Sequence, residues 1–156
     1  MTIRLTINGQ ARVIAATAGE TLLEVLRREG FFGVKVGCES GDCGACAVLM
    51  NGRAVNACLV LAARAEGAEI VTVEGLADGD ALHPLQEAFL EEGAVQCGYC
   101  TPGVLMSAVD LLSRNETPTE EEIKEAISGN LCRCTGYVKQ VRAIQRAAER
   151  MRSGDE

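Results

Sequence analysis

The stretch GCESGDCGACAV, residues 37–48, decides the fold of this chain because it places three cysteines within nine residues. Cys38, Cys43 and Cys46 follow the spacing C-x4-C-x2-C, and Cys58 comes after them between two strand-like segments. This is the spacing of plant-type [2Fe–2S] centres. Three thiolates converge on one small inorganic core only within a tight loop, which the glycines of this stretch permit. We therefore predict that these four cysteines bind a [2Fe–2S] cluster.

Two other uses of clustered cysteines compete with this interpretation. A zinc site more often combines two C-x2-C pairs, or cysteines with histidines. A disulfide framework is typical of secreted chains, whereas the N-terminal stretch MTIRLTINGQ has no apolar segment like that of a secretory signal. We therefore expect a cytoplasmic, reducing location, and zinc and disulfides are the weaker alternatives.

The rest of the first half has the patterns of a small α+β domain. Residues 2–7 alternate in polarity and lead through Asn8-Gly9, a strong hairpin signal, into a return strand. Thr21, with Glu24 three residues later, forms the capping box that predicts a helix start. The predicted strands are Thr2–Ile7, Ala11–Ala15, Ala47–Met50, Arg53–Val55 and Glu69–Val73.

The chain changes character near residue 78, where glycine, aspartate and proline crowd together. We place the domain boundary there, which gives one domain at 1–78 and a second at 79–156. Beyond the boundary, apolar residues recur at helical spacing, so the second domain is predicted to contain four helices. These are Leu85–Glu92, Pro102–Ser113 with Thr101 as N-cap, Pro118–Ser128 with Thr117 as N-cap, and Val138–Met151. His83 is expected in a surface or capping role.

The helical half carries the other four cysteines as two close pairs. Cys97 and Cys100 form C-x2-C, and Cys132 and Cys134 form C-x-C. Cys100 directly precedes a predicted helix start, where free N–H groups and the helix dipole favour an anionic cluster. The spacing alone leaves two interpretations open, a second [2Fe–2S] cluster and a four-cysteine zinc site.

The composition excludes several classes of function. The chain has 156 residues and a net charge of −7, so it does not offer the basic face that nucleic-acid phosphates require. It has no run of about 18 apolar residues that could span a membrane. A single histidine supports neither a catalytic triad nor a zincin, and the sequence shows no phosphate loop or dinucleotide fingerprint. The chain thus offers redox groups but no recognisable catalytic acid, base or nucleophile.

At its cysteine motifs the chain resembles the iron–sulfur part of the xanthine oxidase family of molybdenum hydroxylases. The resemblance rests on GCESGDCGACAV (37–48), QCGYCTPG (96–103) and GNLCRCTGY (129–137), in that order, and extends over nearly the whole chain. It implies a plant-ferredoxin-like β-grasp domain followed by a four-helix domain, each with one [2Fe–2S] cluster. Ala47 departs from the family, which often has Thr or Ser there, and this loses at most one side-chain hydrogen bond.

The resemblance also implies a role and partners. A large subunit would bind molybdopterin and a medium subunit would bind FAD, in a heterotrimer that is often doubled. Electrons would pass from molybdenum to a cluster on Cys97, Cys100, Cys132 and Cys134, then to the β-grasp cluster, and out to FAD. Gln96 and Cys134 would contact the pterin cofactor. Because the chain ends soon after its last predicted helix, we expect a separate small subunit of bacterial or archaeal type.

Three other functions stay open at this point. They are a free-standing ferredoxin-like electron carrier, a structural zinc module, and a subunit of a reductive aryl-CoA dehydroxylase, in which electrons run inward. A carrier would need only one cluster in a β-grasp domain, so the helical half argues against it. The resemblance implies that the substrate is chosen by a pocket in a different polypeptide, so this chain identifies neither the substrate nor the terminal acceptor.

Overall fold

The N-terminal half is built on a mixed five-stranded sheet. A computed structural model describes residues 1–154. The strands are β1 Thr2–Ile7, β2 Gln10–Ala15, β3 Ala47–Met50, β4 Arg53–Asn56 and β5 Glu69–Val71. They lie in the order β2-β1-β5-β3-β4, with β1 and β5 parallel and the other neighbouring pairs antiparallel. The parallel pair at the centre is what brings the last strand back beside the first.

Local sequence signals explain the two hairpins and the helix of this half. Asn8-Gly9 connects β1 to β2 and Asn51-Gly52 connects β3 to β4, with φ angles between 49° and 78° at all four residues. Such angles belong to the turns that match the twist of a hairpin. Helix α1 spans Leu22–Arg28, and its capping box is present, with the Glu24 N–H donating to Thr21 Oγ1 at 3.2 Å. The buried side chains of α1 join the core beneath the sheet.

Up to residue 154, the C-terminal half contains four α-helices, which confirms the predicted four-helix domain. They are α2 Pro84–Glu91, α3 Thr101–Arg114, α4 Glu120–Ile127 and α5 Val138–Ser153. His83 caps α2 as expected, since its Nδ1 accepts a hydrogen bond from the Leu85 N–H at 3.1 Å. Helix α2 packs on α5, and α3 packs on α4. Among residues 1–154, no helix is long and apolar enough to cross a membrane.

Two predicted helix caps are wrong. Thr101 lies inside α3, because the first helical hydrogen bond is accepted one residue earlier, by the Cys100 carbonyl at 3.1 Å. Thr117 does not cap α4. Thr119 does so, because Glu122 stands three residues after it and completes a capping box in which the Glu122 N–H donates to Thr119 Oγ1 at 3.3 Å.

The two halves pack directly against each other, mainly through β3 and α3. Leu49 on β3 and Met106 on α3 belong to one small apolar cluster between the halves. Beside it, the buried carboxylate of Asp110 on α3 accepts a hydrogen bond from Arg53 Nε on β4 at 2.9 Å. We call this contact region the seam. The domain boundary at residue 78 stays a prediction.

Candidate metal centres

Three cysteines of the first set lie in the loop that leads into β3, and the fourth, Cys58, lies just after β4. Cys46 and Cys58 are buried, with 3% and 7% exposure, whereas Cys38 lies at the surface. The backbone N–H of Cys43 donates to Cys38 Sγ at 3.4 Å. The Cys46 thiol lies beside the Cys58 thiol and near Cys43. The structure therefore brings all four cysteines together as two adjacent pairs.

Glycines let the backbone pass close to these thiols. A Cβ added at Gly37 would lie 2.5 Å from Cys43 Sγ, and one added at Gly41 would lie 2.5 Å from Leu59 Cδ1. Gly41 also has a φ of +87°, which other residues rarely adopt. Glycine is thus required in this loop by two close contacts and one backbone angle.

The thiols of the first set sit in contrasting environments. Hydrogen bonding from Ser40, whose backbone N–H donates to Cys38 Sγ at 3.4 Å, lowers the pKa of Cys38 to about 6. Burial raises the pKa of Cys46 to about 11. A buried thiolate is unfavourable unless a cation lies beside it, and a metal bound to the sulfur supplies that charge. The donor set therefore fits a cationic metal group held by four thiolates.

The second cysteine set is assembled from two segments, one at the beginning of α3 and one before α5. Cys100 is the N-cap of α3, and its thiol lies beside the Cys132 thiol. The Cys134 thiol lies beside the Cys97 thiol, and these two cysteines are exposed. Each pair therefore joins one cysteine from each segment.

Polar groups donate hydrogen bonds to Cys100 and Cys132, the inner pair of the second set. The Thr135 N–H lies 3.4 Å from Cys132 Sγ, and the Thr135 hydroxyl lies 3.1 Å from it. Burial raises the pKa of Cys132, but the hydrogen bonds outweigh it and lower this pKa to about 7. Burial raises the pKa of Cys100 to about 11, and Gln140 Nε2 donates to its sulfur at 3.5 Å. Donors of this kind stabilise the negative charge of iron–sulfur groups.

Sequence reasoning alone does not identify Tyr137 and Gln140 as parts of the second site. The Tyr137 hydroxyl accepts from the Cys132 N–H at 2.7 Å and donates to the Asn130 carbonyl at 3.1 Å. Tyr137 ends the GNLCRCTGY motif, but nothing in its spacing shows that the ring reaches back over the loop. The one signal for Gln140 is a polar residue beside the apolar core positions of α5.

The two cysteine loops touch each other across the seam. The Leu131 N–H, one residue before the C-x-C pair, donates to the Cys43 carbonyl at 2.9 Å. Asn130 Nδ2 donates to the Gly44 carbonyl at 3.1 Å. A Cβ added at Gly44 would lie only 2.3 Å from the carbonyl oxygen of Gly129. Glycine at this position is therefore what lets the loops approach so closely.

Gln96 lies beside Cys97 and Cys134, the outer pair of the second set. Its Nε2 donates to the Cys134 carbonyl at 3.2 Å. Gln96, Cys97 and Cys134 are all exposed. The hydrogen bond ties the two segments of the second site together, whereas contact of Gln96 with a pterin stays a prediction.

The geometry can be compared with what different metal groups need. Within residues 1–154, no set of three or more His, Cys, Asp or Glu side chains is arranged to hold a single metal ion. A zinc ion takes its thiolate ligands at about 2.3 Å from one point. A [2Fe–2S] cluster instead shares four thiolates between two irons. Thiols that lie together in pairs, as in both sets here, suit the second requirement.

Comparison with known proteins identifies both halves. Residues 5–77 match the family model described as "2Fe-2S iron-sulfur cluster binding domain", and residues 72–145 match the one described as "[2Fe-2S] binding domain". The chain is 50% identical over 151 residues to the nicotinate dehydrogenase small FeS subunit of Eubacterium barkeri, covering 96% of each chain. It is 55% identical over 143 residues to the nicotine 6-hydroxylase small subunit of Paenarthrobacter nicotinovorans, covering 91% of this chain and 86% of the relative. The chain belongs to the small iron–sulfur subunits of the xanthine oxidase family of molybdenum hydroxylases.

A solved structure extends the similarity from sequence to fold. A chain in the crystal structure of quinoline 2-oxidoreductase from Pseudomonas putida 86 matches this small subunit with a TM-score of 0.95 and 45% identity, covering 100% of this chain and 98% of the other. The predicted α+β fold, with a β-grasp domain followed by four helices, is confirmed. The small subunit carries two [2Fe–2S]-binding domains and serves electron transfer within an oxidoreductase, so the zinc alternative is discarded.

Proposed function

We propose that this small subunit passes electrons, one at a time, between molybdopterin in a large subunit and FAD in a medium subunit. Each bound [2Fe–2S] cluster supplies a one-electron acceptor and donor. In this proposal the cluster nearest molybdenum is held by Cys97, Cys100, Cys132 and Cys134. The cluster nearest FAD is held by Cys38, Cys43, Cys46 and Cys58.

The observation that carries the proposal is the direct contact between the two cysteine loops. The 2.9 Å hydrogen bond from the Leu131 N–H to the Cys43 carbonyl joins the neighbour of Cys132 to a member of the first set. A relay needs two centres that are close together and held at a fixed separation. The packing of β3 on α3 holds the loops in this way, because both elements are anchored in cores on either side of the seam.

Each cysteine set also exposes part of itself, as a relay requires at its two ends. Cys97 and Cys134 are exposed in the helical half, and Gln96 lies next to them. We assign this face to the large subunit, with Gln96 and Cys134 in contact with the pterin. Cys38 is the exposed member of the first set, and we assign its surroundings to the FAD subunit.

The proposed assembly is a cytoplasmic heterotrimer of large, medium and small subunits that forms a doubled complex. The small subunit provides no catalytic residue in this scheme. The relatives and the solved structure described above are named for nicotinate, nicotine and quinoline, although their identity to this chain varies only between 45% and 55%. The substrate therefore does not follow from the sequence of the small subunit.

The change Cys134→Ser tests the proposed order of the two clusters in the purified complex. We expect substrate still to bind and reduce the molybdenum site, while electrons no longer reach the β-grasp cluster. Stopped-flow absorption and EPR of the complex measure the two events separately. Arg133→Lys, an exposed change in the same loop, is the control. Reduction of the β-grasp cluster by substrate in Cys134→Ser would show that the order is wrong.

Size-exclusion chromatography of the native protein tests the proposed assembly against the free-standing carrier that the spacing of the cysteines left open. A carrier elutes from size-exclusion chromatography as a single small chain that contains iron and sulfide. A subunit elutes with a molybdopterin-binding and an FAD-binding polypeptide, which mass spectrometry identifies. Elution of the chain alone from a gently prepared native extract would support the carrier.

A further inference from the structure

Gln140 is a buried polar residue that packing alone does not explain. It is the third residue of α5, and its side chain is 0% exposed. The next buried side chains of this helix, Val141, Ala143 and Ile144, are apolar. Burying an amide costs free energy unless its polar atoms have hydrogen-bond partners, so an apolar residue of the same size would pack more favourably here.

The partner that Gln140 does have is a cysteine of the second set. Its Nε2 lies 3.5 Å from Cys100 Sγ, whereas its Oε1 has no hydrogen-bond partner within the described part of the chain. A metal-bound thiolate has no proton and can only accept, so the amide must turn its N–H groups toward the sulfur. The interaction therefore places a neutral donor against one sulfur of the helical-half site.

We propose that Gln140 raises the reduction potential of the cluster in the helical half. This inference rests on the proposed function, in which Cys100 is a ligand of that cluster. Reduction adds one electron and hence one negative charge to the cluster and its thiolates. An N–H donor stabilises the more negative state more strongly, because a hydrogen bond strengthens with the charge of its acceptor. Gln140 itself gains or loses no electron and no proton.

The effect is confined to one of the two clusters. Gln140 lies in the helical half, and the hydrogen bond that it donates goes to Cys100. The first set has donors of its own, such as the Ser40 N–H to Cys38 Sγ at 3.4 Å. Gln140 thus makes the helical-half cluster a better acceptor for electrons from the large subunit and a correspondingly weaker donor to the β-grasp cluster, whose own potential it leaves unchanged.

The change Gln140→Met tests the inference, because methionine matches glutamine in length but has no N–H donor. Midpoint potentials of both clusters in the purified complex are measured by EPR-monitored redox titration. We expect the midpoint potential of the helical-half cluster to fall by about 59 mV, which is a tenfold shift of its one-electron equilibrium toward the oxidised state. The matched control is Gln145→Met, the same change at a partly exposed position of the same helix. The control and the β-grasp cluster keep their potentials.

Several results would overturn the inference. An unchanged potential in Gln140→Met with full iron content would do so directly. If Gln140→Met and a second variant, Gln140→Leu, both lose the helical-half cluster, Gln140 is needed for cluster binding and the inference about the reduction potential is wrong. Labelling with side-chain ¹⁵N-glutamine adds a direct readout, since the reduced helical-half cluster of the unchanged protein should show a weakly coupled nitrogen that Gln140→Met lacks. If the proposed function is wrong, the unchanged protein will lack the helical-half cluster. The inference is then wrong as well.

Discussion

The two cysteine sets reach the same number of thiols by different routes. In the first set one loop supplies three cysteines, and its inner members, Cys46 and Cys58, belong to the core around the sheet. In the second set two segments on either side of α3 and α4 supply two cysteines each, and Cys97 and Cys134 lie at the surface. The first site is thus part of a domain core, whereas the second is held at the end of a helix bundle. Loss of the bound cluster should therefore have different structural consequences in the two halves.

The largest difference is expected between Cys46→Ser and Cys134→Ser. Each change should remove one cluster and therefore roughly half of the iron. Cys46→Ser should also lower the melting temperature more, because it places a hydroxyl in a core position that is 3% exposed. Iron analysis, visible absorption and thermal unfolding of both variants measure these effects. Equal melting temperatures, or full iron in either variant, would contradict the comparison.

The seam should be nearly as sensitive as the sites. Gly44→Ala places a Cβ 2.3 Å from the Gly129 carbonyl at a φ of +69°, so the two loops must separate. We expect a loss of about 2–4 kcal/mol in the free energy of unfolding, from the combined strain and lost contacts. Urea denaturation monitored by circular dichroism measures it.

Gly52→Ala is the matched control for this change. Gly52 has a similar φ of +78°, but a Cβ there has no neighbour within 4 Å. Only the backbone strain should remain, at about 1–2 kcal/mol. If the two variants are equally destabilised, the close approach of the loops does not limit stability and the seam is looser than described.

A smaller effect is expected from the ion pairs at the seam. Asp110 accepts hydrogen bonds from Arg53 at 2.9 Å and from Arg114 at 3.2 Å, and its side chain is only 10% exposed. Asp110→Asn removes the charge from both pairs, and we expect a loss of about 1–2 kcal/mol because the arginines are themselves largely exposed. Glu120→Gln, which breaks a pair with Lys124 on the exposed face of α4, should leave the unfolding curve unchanged. A larger effect from Glu120→Gln than from Asp110→Asn would reverse this ranking.

The comparison of the two sets also explains which features the sequence predicts. The first site lies almost entirely in one segment, so its spacing and glycines indicate the chemistry directly. The hairpins at Asn8-Gly9 and Asn51-Gly52 and the capping box of Thr21 are local for the same reason. The second site depends on how α3 and α5 pack, and spacing alone does not distinguish two irons from one zinc. The roles of Tyr137 and Gln140 come from such packing and have no local signature.

The errors at the helix caps have a related physical cause. Each predicted cap is the threonine directly before a proline, whereas the N-cap of a helix is the residue whose carbonyl accepts the first helical hydrogen bond. At α3 that carbonyl belongs to Cys100. The result matters for the site, because it places the sulfur-bearing residue itself at the N-terminus of the helix, where the dipole favours negative charge.

The smallest effect is expected from Gln96→Ala, because Gln96 is exposed and makes one neutral hydrogen bond, to the Cys134 carbonyl at 3.2 Å. Iron content should be unchanged, since no thiol is removed. Affinity for the large subunit should fall about two- to tenfold, as expected for the loss of one or two neutral hydrogen bonds. Gln10→Ala, an exposed change on β2 in the other half, is the control for surface effects. Subunit exchange followed by native mass spectrometry measures the affinity. Equal affinities for Gln96→Ala and Gln10→Ala would show that Gln96 does not contribute to the interface. Cys97 and Cys134 would remain assigned to it, because their thiols are exposed whether or not Gln96 is present.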